Sequence, residues 1–259
     1  MSRRLRFGIV GYGALGQALT SHLAQHEELA EIVGYVVRDV SRFNGDGRFV
    51  AELDELLARK PDVVIECAGQ QAMRQHALSI VRAGVDLVPA SVGALVDDAW
   101  RRELLAAAHA SGARIRIPTG AIVGIDGLAA ARHVGIDSVV YRGTMPPSTL
   151  KAHYDGVLPE HGLVFEGTAR EAVRLFPKNV NLAGTIALAG VGFEQTRVEM
   201  HVDPALTANV HELFVRGAFG EFHVRISGLR LSESSPSSRI VAGSLAQSAL
   251  GSNFTVLQR

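Results

Sequence analysis

A glycine-rich turn between a strand-like run and a helical pattern constrains this chain most. Three glycines of the segment GYGALG have the spacing GxGxxG: Gly11, Gly13 and Gly16. The first permits a tight turn, the second lets the backbone approach a pyrophosphate, and the third lets the helix pack against the strand. The pattern predicts a dinucleotide-binding loop that includes Ala14 and Leu15, with the helix N-terminus facing the phosphates. A tight strand–helix turn without any ligand is the alternative.

The first part of the chain alternates short apolar runs with helical patterns. Five runs predict strands: Leu5–Val10, Glu31–Val37, Val63–Glu66, Val85–Pro89 and Arg114–Ile117. Strands that alternate with helices in this way form right-handed βαβ units and a parallel sheet. We therefore expect an α/β fold whose first domain, residues 1–117, is of the Rossmann type.

After Pro118 the pattern changes to strands of alternating character. Residues 138–142, 196–201, 210–216 and 221–227 are predicted strands, with two helices over 169–175 and 180–188. The last two strands flank a Gly-Ala-Phe-Gly turn and predict a hairpin. We expect an inserted α+β domain over residues 118–239 with an antiparallel or mixed sheet. A final helix from Ile240 would pack back on the first domain, so that residues 240–259 complete it.

The overall composition excludes several classes of partner. Lysine plus arginine and aspartate plus glutamate each number 26, so no net charge attracts a nucleic acid or an anionic membrane. No run reaches the roughly 18 to 20 apolar residues of a membrane span. The single cysteine excludes an intrachain disulfide and fits a reducing compartment, so we expect a soluble, cytoplasmic protein. No spacing indicates a zinc site or a P-loop, and we expect no metal.

Residues at the ends of the predicted strands are candidates for cofactor binding, because ligands lie beyond the carboxyl ends of parallel strands. Small residues follow the third strand, Cys67, Ala68 and Gly69, and Ser91 follows the fourth. Packing is a better interpretation of Cys67 than nucleophilic chemistry. After the second strand, Arg38 is placed to accept the 2′-phosphate of NADP, or else stacks on adenine or faces solvent. NAD and NADP both remain open.

Two segments of the inserted domain carry candidate substrate residues. Lys178 and Asn179 lie in FPKNVN at a predicted helix N-terminus, which suits carboxylates, although Asn179 alone would serve as an N-cap. Asn209 and His211 are two residues apart, so on a strand both point to one face. Histidine titrates near neutrality and is a common proton-transfer group in hydride chemistry. We therefore predict that His211 is catalytic and that Lys178, Asn179 and Asn209 bind substrate.

Five segments resemble those of the L-aspartate dehydrogenases: GYGALG, ECAG, PTGAIVGIDGL, EGTAREAVRLFPKNVNLAGTIALAG and DPALTANVHEL. The resemblance covers essentially the whole chain, and FPKNVN and the segment around Asn209 and His211 are its most specific parts. It implies a domain arrangement related to dihydrodipicolinate reductase, and NAD(P)-dependent oxidative deamination of L-aspartate to iminoaspartate, which hydrolyses to oxaloacetate and ammonia. It also implies a homodimer whose inserted domain forms the interface, a link to NAD biosynthesis, cofactor contacts at Ala121 and Asn181, and an active-site role for His211.

Two departures from the family pattern keep alternatives open. The chain has Ser235-Pro236-Ser237-Ser238-Arg239 where the family tends to have NPKTS, and Met145 where we expect a basic residue. A dehydrogenase or reductase of the same fold for another small acid is therefore the first alternative. A nicotinamide-binding sensor without turnover is the second, and the presence of Lys178, Asn209 and His211 disfavours it.

Overall fold

The computed structural model describes residues 3–151, 154, 156–176, 181–231 and 237–251. The chain divides into two compact units, one of Met1–Pro118 with Val241–Arg259 and the other of Thr119–Ile240. The second unit is thus an insertion in the sequence of the first.

The first unit contains a parallel sheet with the strand order β3-β2-β1-β4-β5. Among the described residues its strands are β1 (Leu5–Val10), β2 (Ala30–Val36), β3 (Phe49–Val50), β4 (Val63–Glu66) and β5 (Asp86–Pro89). Its helices are α1 (Ala14–Leu23), α2 (Leu53–Leu57), α3 (Gln70–Arg82) and α4 (Asp98–Ser111), with 3₁₀ turns over Ala24–His26, Val40–Phe43 and Val92–Val96. Every residue of β4 and β5 is buried, as in parallel sheets covered on both faces. The predicted Rossmann-type fold is confirmed.

The fifth strand of this sheet is not the predicted one. Residues 114–117 form only an isolated bridge between Leu87 and Ile115, whereas Phe49–Val50 pairs with β2. The prediction of a strand over Arg114–Ile117 was therefore wrong. Arg116 instead donates to the backbone oxygens of Ser248 and Ala249 and pairs with Asp86, so this segment joins the sheet edge to the last helix.

The core of the first unit includes residues from both ends of the chain. Helix α9 (Arg239–Leu250) contributes Leu245, Ala246 and Ala249 to a buried cluster that contains Phe7 and Ile9 of β1. Residues of the final helix thus belong to the same buried cluster as residues of β1.

The second unit contains a mixed sheet with the strand order β10-β9-β6-β8-β7. Its described strands are β6 (Ile136–Met145), β7 (Gly162–Thr168), β8 (Thr196–Val202), β9 (Asn209–Gly217) and β10 (Gly220–Gly228). Its helices are α5 (Ile125–Val134), α6 (Pro147–Lys151), α7 (Ala169–Leu175) and α8 (Asn181–Ala189). Strand β6 is parallel to β8 and antiparallel to β9, which forms the predicted hairpin with β10. The mixed sheet confirms the predicted α+β character.

Side chains of the central strand β6 alternate between two environments. Val139, Tyr141 and Met145 are buried, whereas the intervening Arg142 and Thr144 are only partly buried. Helices α5, α7 and α8 contact the strands of this sheet, and a Cβ atom on Gly124, the residue before α5, would lie 3.3 Å from Val224 of β10. The helices and the buried side chains therefore share one face of the sheet. No helix among the described residues is long and apolar enough to cross a membrane.

Candidate active site

The glycine turn has the geometry that a dinucleotide loop needs. Gly11 has φ of +95°, which side chains disfavour, and a Cβ atom there would lie 2.9 Å from the Cβ of Ala68. A Cβ on Gly16 would lie 2.3 Å from the backbone oxygen of Gly11, so α1 starts in direct contact with the turn. A Cβ on Gly13, by contrast, would meet no protein atom within 4 Å. The backbone of Gly13 therefore borders open space where the motif requires a pyrophosphate.

The buried carboxylate of Glu66 accepts hydrogen bonds from residues that follow β4 and β5. Oε1 of Glu66 accepts hydrogen bonds from the backbone amides of Ala68 and Gly69 at 2.6 and 2.7 Å, and from the Ser91 hydroxyl at 3.1 Å. Oε2 accepts from the Ser91 amide at 3.0 Å. Burial raises the pKa of Glu66, while these four donors oppose that rise. One signal of this role is present in the sequence, a carboxylate at the end of the apolar run VVIE, and sequence reasoning missed it.

This network defines where the predicted cofactor residues after β4 and β5 lie. Ala68 and Gly69 are exposed at the carboxyl end of the sheet, whereas Ser91 is buried with its hydroxyl engaged by Glu66. Cys67 is partly buried, and burial raises the pKa of its thiol well above the usual value. A protonated thiol is a poor nucleophile, in agreement with the packing interpretation of Cys67.

The segment after β2 places Arg38 at the surface. Arg38 is exposed and forms no ion pair within the described part of the chain. The next residue, Asp39, accepts hydrogen bonds from the hydroxyl of Ser41 at 2.6 Å and from its amide at 3.1 Å. These bonds, the hydroxyl first, hold the pKa of Asp39 below its usual value. The Asp39 carboxylate is thus hydrogen-bonded to Ser41, whereas the adjacent Arg38 has no ion-pair partner among the described residues.

His211 and Tyr141 form a buried polar pair in the second unit. The Tyr141 hydroxyl lies 2.9 Å from Nδ1 of His211, and the two rings are stacked. His211 is only 5% exposed, and burial lowers its pKa to about 4. Burial likewise raises the pKa of Tyr141 above its ordinary value. At neutral pH the pair is therefore uncharged, and His211 does not titrate near neutrality as a histidine in water does.

The register of the sheet creates the space for this pair. His211 lies opposite Gly143 of β6, and a Cβ on Gly143 would be 2.9 Å from the Tyr141 hydroxyl. Any larger residue at position 143 would displace the hydroxyl from the histidine. Sequence reasoning missed both Tyr141 and Gly143, because their relation to His211 depends on which residues of β6 and β9 pair.

Asn209 begins β9, two residues before His211 and on the same face of the strand. Its Oδ1 atom is buried and has no hydrogen-bond partner among the described residues. Buried acceptors of this kind are costly unless a ligand or water supplies a donor. Asn209 therefore has an acceptor available for a donor such as an amine.

The structure says less about the remaining predicted site residues. Ala121 and Asn181 are partly buried, and Asn181 begins α8. Lys178 and Asn179 lie outside the described residues. Met145, where we expected a basic residue, ends β6 with its side chain 1% exposed, so it belongs to the core.

Comparison with known proteins identifies the family of the chain. Residues 126–252 match the family model described as aspartate dehydrogenase, C-terminal, and residues 11–118 match homoserine dehydrogenase, NAD binding domain. The chain is 65% identical to L-aspartate dehydrogenase 1 of Bordetella pertussis over 99% of this chain and 100% of that protein. The chain belongs to the L-aspartate dehydrogenase family. The predicted family, an oxidoreductase with a nicotinamide cofactor, is confirmed.

Solved structures agree with this assignment. Aspartate dehydrogenase from Thermotoga maritima is similar with a TM-score of 0.75 and 25% identity, covering 99% of this chain and 100% of that one. Dihydrodipicolinate reductase from Paenisporosarcina has a TM-score of 0.57 at 15% identity, covering 95% and 94% of the two chains. The second likeness concerns the fold alone, and it agrees with the expected relation in domain arrangement.

Proposed function

We propose that this member of the L-aspartate dehydrogenase family oxidises L-aspartate with NAD or NADP to iminoaspartate, which water converts to oxaloacetate and ammonia. The observation that carries the proposal is the uncharged His211–Tyr141 pair, buried on a strand beside Asn209 with its unpartnered acceptor. The 65% identity with an L-aspartate dehydrogenase over the full length supports the choice of amino acid.

The first unit holds the dinucleotide in this proposal. The open backbone at Gly13, the start of α1 and the exposed Ala68 and Gly69 fit a pyrophosphate and the groups beyond it. The bound nicotinamide supplies an acceptor for the hydride that leaves Cα of aspartate. From the sequence we add Arg38 at the adenosine ribose, and Ala121 and Asn181 as further cofactor contacts.

The second unit supplies the groups that act on the amino acid. With Nδ1–H of His211 donated to the Tyr141 oxygen, Nε2 carries the lone pair that removes a proton from the substrate amine or from the hydrolytic water. The Asn209 Oδ1 atom accepts a hydrogen bond from the same amine. Lys178 and Asn179 complete the predicted substrate set by binding a carboxylate. Because the pKa of His211 is about 4, its base form is available at every neutral or alkaline pH.

The face of the second sheet opposite its helices is the proposed homodimer interface. It carries an array of paired polar and aromatic side chains: Arg142 to Glu199 at 2.7 Å, Arg142 over the ring of Phe214, and Phe214 stacked on His223. A second copy related by a twofold axis would present the same array in reverse. Sedimentation at micromolar concentration tests this, and a monomer would contradict it. We also place the protein in the cytoplasm, a reducing compartment that suits its single free cysteine.

A substrate panel tests the proposed reaction directly. The protein is mixed with NAD or NADP and one small acid, and the absorbance of the reduced nicotinamide is followed. We expect turnover with L-aspartate and little with L-asparagine, L-glutamate or L-malate. Faster turnover of another acid would favour the first alternative, and cofactor binding without turnover of any acid would favour the sensor.

A further inference from the structure

A cavity of about 610 Å³ lies wholly within the second unit, near the ends of three strands. Its polar lining consists of the hydroxyl residues Ser148 and Thr207 and the two arginines Arg230 and Arg239. Apolar residues such as Pro146 and Leu206 form the rest of the wall. None of the described lining residues is acidic. Such a volume is typical of small-molecule sites.

The two arginines are held by the backbone and remain without an acidic partner. The backbone amide of Arg239 donates to the backbone oxygen of Leu229 at 2.9 Å. Its Nε atom donates to the backbone oxygen of Arg230 at 3.2 Å. Nη2 of Arg230 donates to the hydroxyl of the buried Thr149. Neither guanidinium forms an ion pair with a carboxylate that the structure describes. Each therefore keeps donors free for a ligand.

The cavity lies at the same end of the sheet as His211. Its lining residue Ala208 is three residues before His211, a distance of about 10 Å along an extended chain. On the neighbouring strand Gly228, opposite Asn209, immediately precedes the lining residues Leu229 and Arg230. The cavity and His211 therefore lie at the same end of one sheet.

We propose that this cavity binds a carboxylate of the dicarboxylate substrate, with Arg230 and Arg239 as its specificity-determining residues. The inference rests on the proposed function, and it adds two arginines to the substrate residues predicted from the sequence. Two guanidinium groups with adjacent hydroxyl donors match the oxygens of a carboxylate, which each can bind in bidentate fashion.

The test uses succinate, a dicarboxylate that cannot be oxidised at an amine, as the binding probe. Calorimetry on the full chain with NAD present measures succinate affinity, and steady-state kinetics measure KM for L-aspartate. We expect Arg230→Gln and Arg239→Gln each to weaken succinate binding and to raise KM at least tenfold. Arg230→Lys keeps the charge but loses the planar fork, so its loss is smaller. Arg102→Gln, an exposed arginine of α4 outside this unit, is the matched control and changes neither value.

The outcomes separate this inference from the proposed function. Normal aspartate turnover with wild-type succinate affinity in both glutamine variants would overturn the carboxylate site and leave the function intact. Absent aspartate turnover in the wild type, with succinate binding still lost in the variants, would overturn the function and retain the site. Phosphate binding as tightly as succinate would overturn the assignment to a carboxylate. Melting temperatures identify a variant that fails to fold, and the exposed Arg239 then carries the test because its replacement perturbs no buried group.

Discussion

Burial determines the protonation state of His211 and therefore its chemistry. With a pKa of about 4 it is neutral at neutral and alkaline pH, so it acts as a base there without first having to lose a proton. An increase in activity toward alkaline pH would then report deprotonation of the substrate ammonium and not of this histidine. Tyr141 holds the ring through Nδ1, and in the tautomer proposed above Nε2 is the reactive nitrogen.

Replacement of His211 by alanine removes the proposed base. General acid–base assistance is typically worth about 10²- to 10⁴-fold, so kcat for L-aspartate should fall by that range. Affinity for the nicotinamide cofactor should change little, because the dinucleotide motif belongs to the other unit. Stopped-flow binding and steady-state turnover give the two quantities. A folded variant with near wild-type kcat would make His211 structural.

Tyr141→Phe keeps the ring packing and removes only the hydroxyl beside His211. One neutral hydrogen bond contributes about 0.5–1.5 kcal/mol, so we expect kcat to decrease roughly 2- to 10-fold with KM nearly unchanged. Tyr35→Phe is the matched control, since this buried tyrosine also has a hydroxyl contact, to Thr20, but belongs to the first unit. Equal losses of activity in both variants would show a general effect on stability.

At the scale of elements, regular patterns predicted most of the fold. The glycine turn, β1 and the β9–β10 hairpin follow from local sequence because turn chemistry and alternation act over a few residues. The two-residue strand β3 and the bridge at Ile115 depend on distant partners, so local pattern assigned the fifth strand wrongly. The same applies to Glu66, whose four donors come from residues 68, 69 and 91.

Gly13→Val separates the ligand role of the turn from its structural role. Position 13 has φ of −77° and free space for a Cβ, so the variant should fold normally. A branched side chain there would occupy the pyrophosphate position and weaken cofactor binding at least tenfold, about 1.4 kcal/mol. Gly243→Val in α9, where a Cβ also meets nothing, is the control. Cofactor titration decides, and unchanged affinity would contradict the placement of the loop.

Arg38→Ala tests the choice between NAD and NADP. If Arg38 meets the 2′-phosphate, loss of a charge-assisted contact should weaken NADP binding roughly tenfold while leaving NAD nearly unaffected. Dissociation constants for both cofactors, measured by fluorescence titration, give the comparison within one variant. Equal effects on NAD and NADP binding would show that Arg38 does not contact the 2′-phosphate.

At the scale of the whole molecule, His211 makes the free energy of unfolding depend on pH. Its folded pKa of about 4 lies below its unfolded value of about 6.5, so the unfolded chain binds the proton more tightly. Stability should therefore be unaffected by this group above pH 6.5, decline as pH falls below it, and lose in total roughly 3 kcal/mol by pH 4. Denaturant unfolding of wild type and His211→Asn measures the slope, which should be shallower in the variant. The exposed His133→Asn should keep the wild-type slope.

The composition of the first core has a consequence for synthesis on the ribosome. Phe7 and Ile9 emerge early, but Leu245 and Ala249, which cover them, follow after more than 200 intervening residues. Until α9 is synthesised, the apolar side chains of the first sheet lack part of their packing partners. Chains with such exposed apolar surface bind chaperones or aggregate. The second unit, contiguous in sequence, has all its strands before α9 is made. Translation order therefore favours folding of the inserted unit first, with closure of the Rossmann core as the last step.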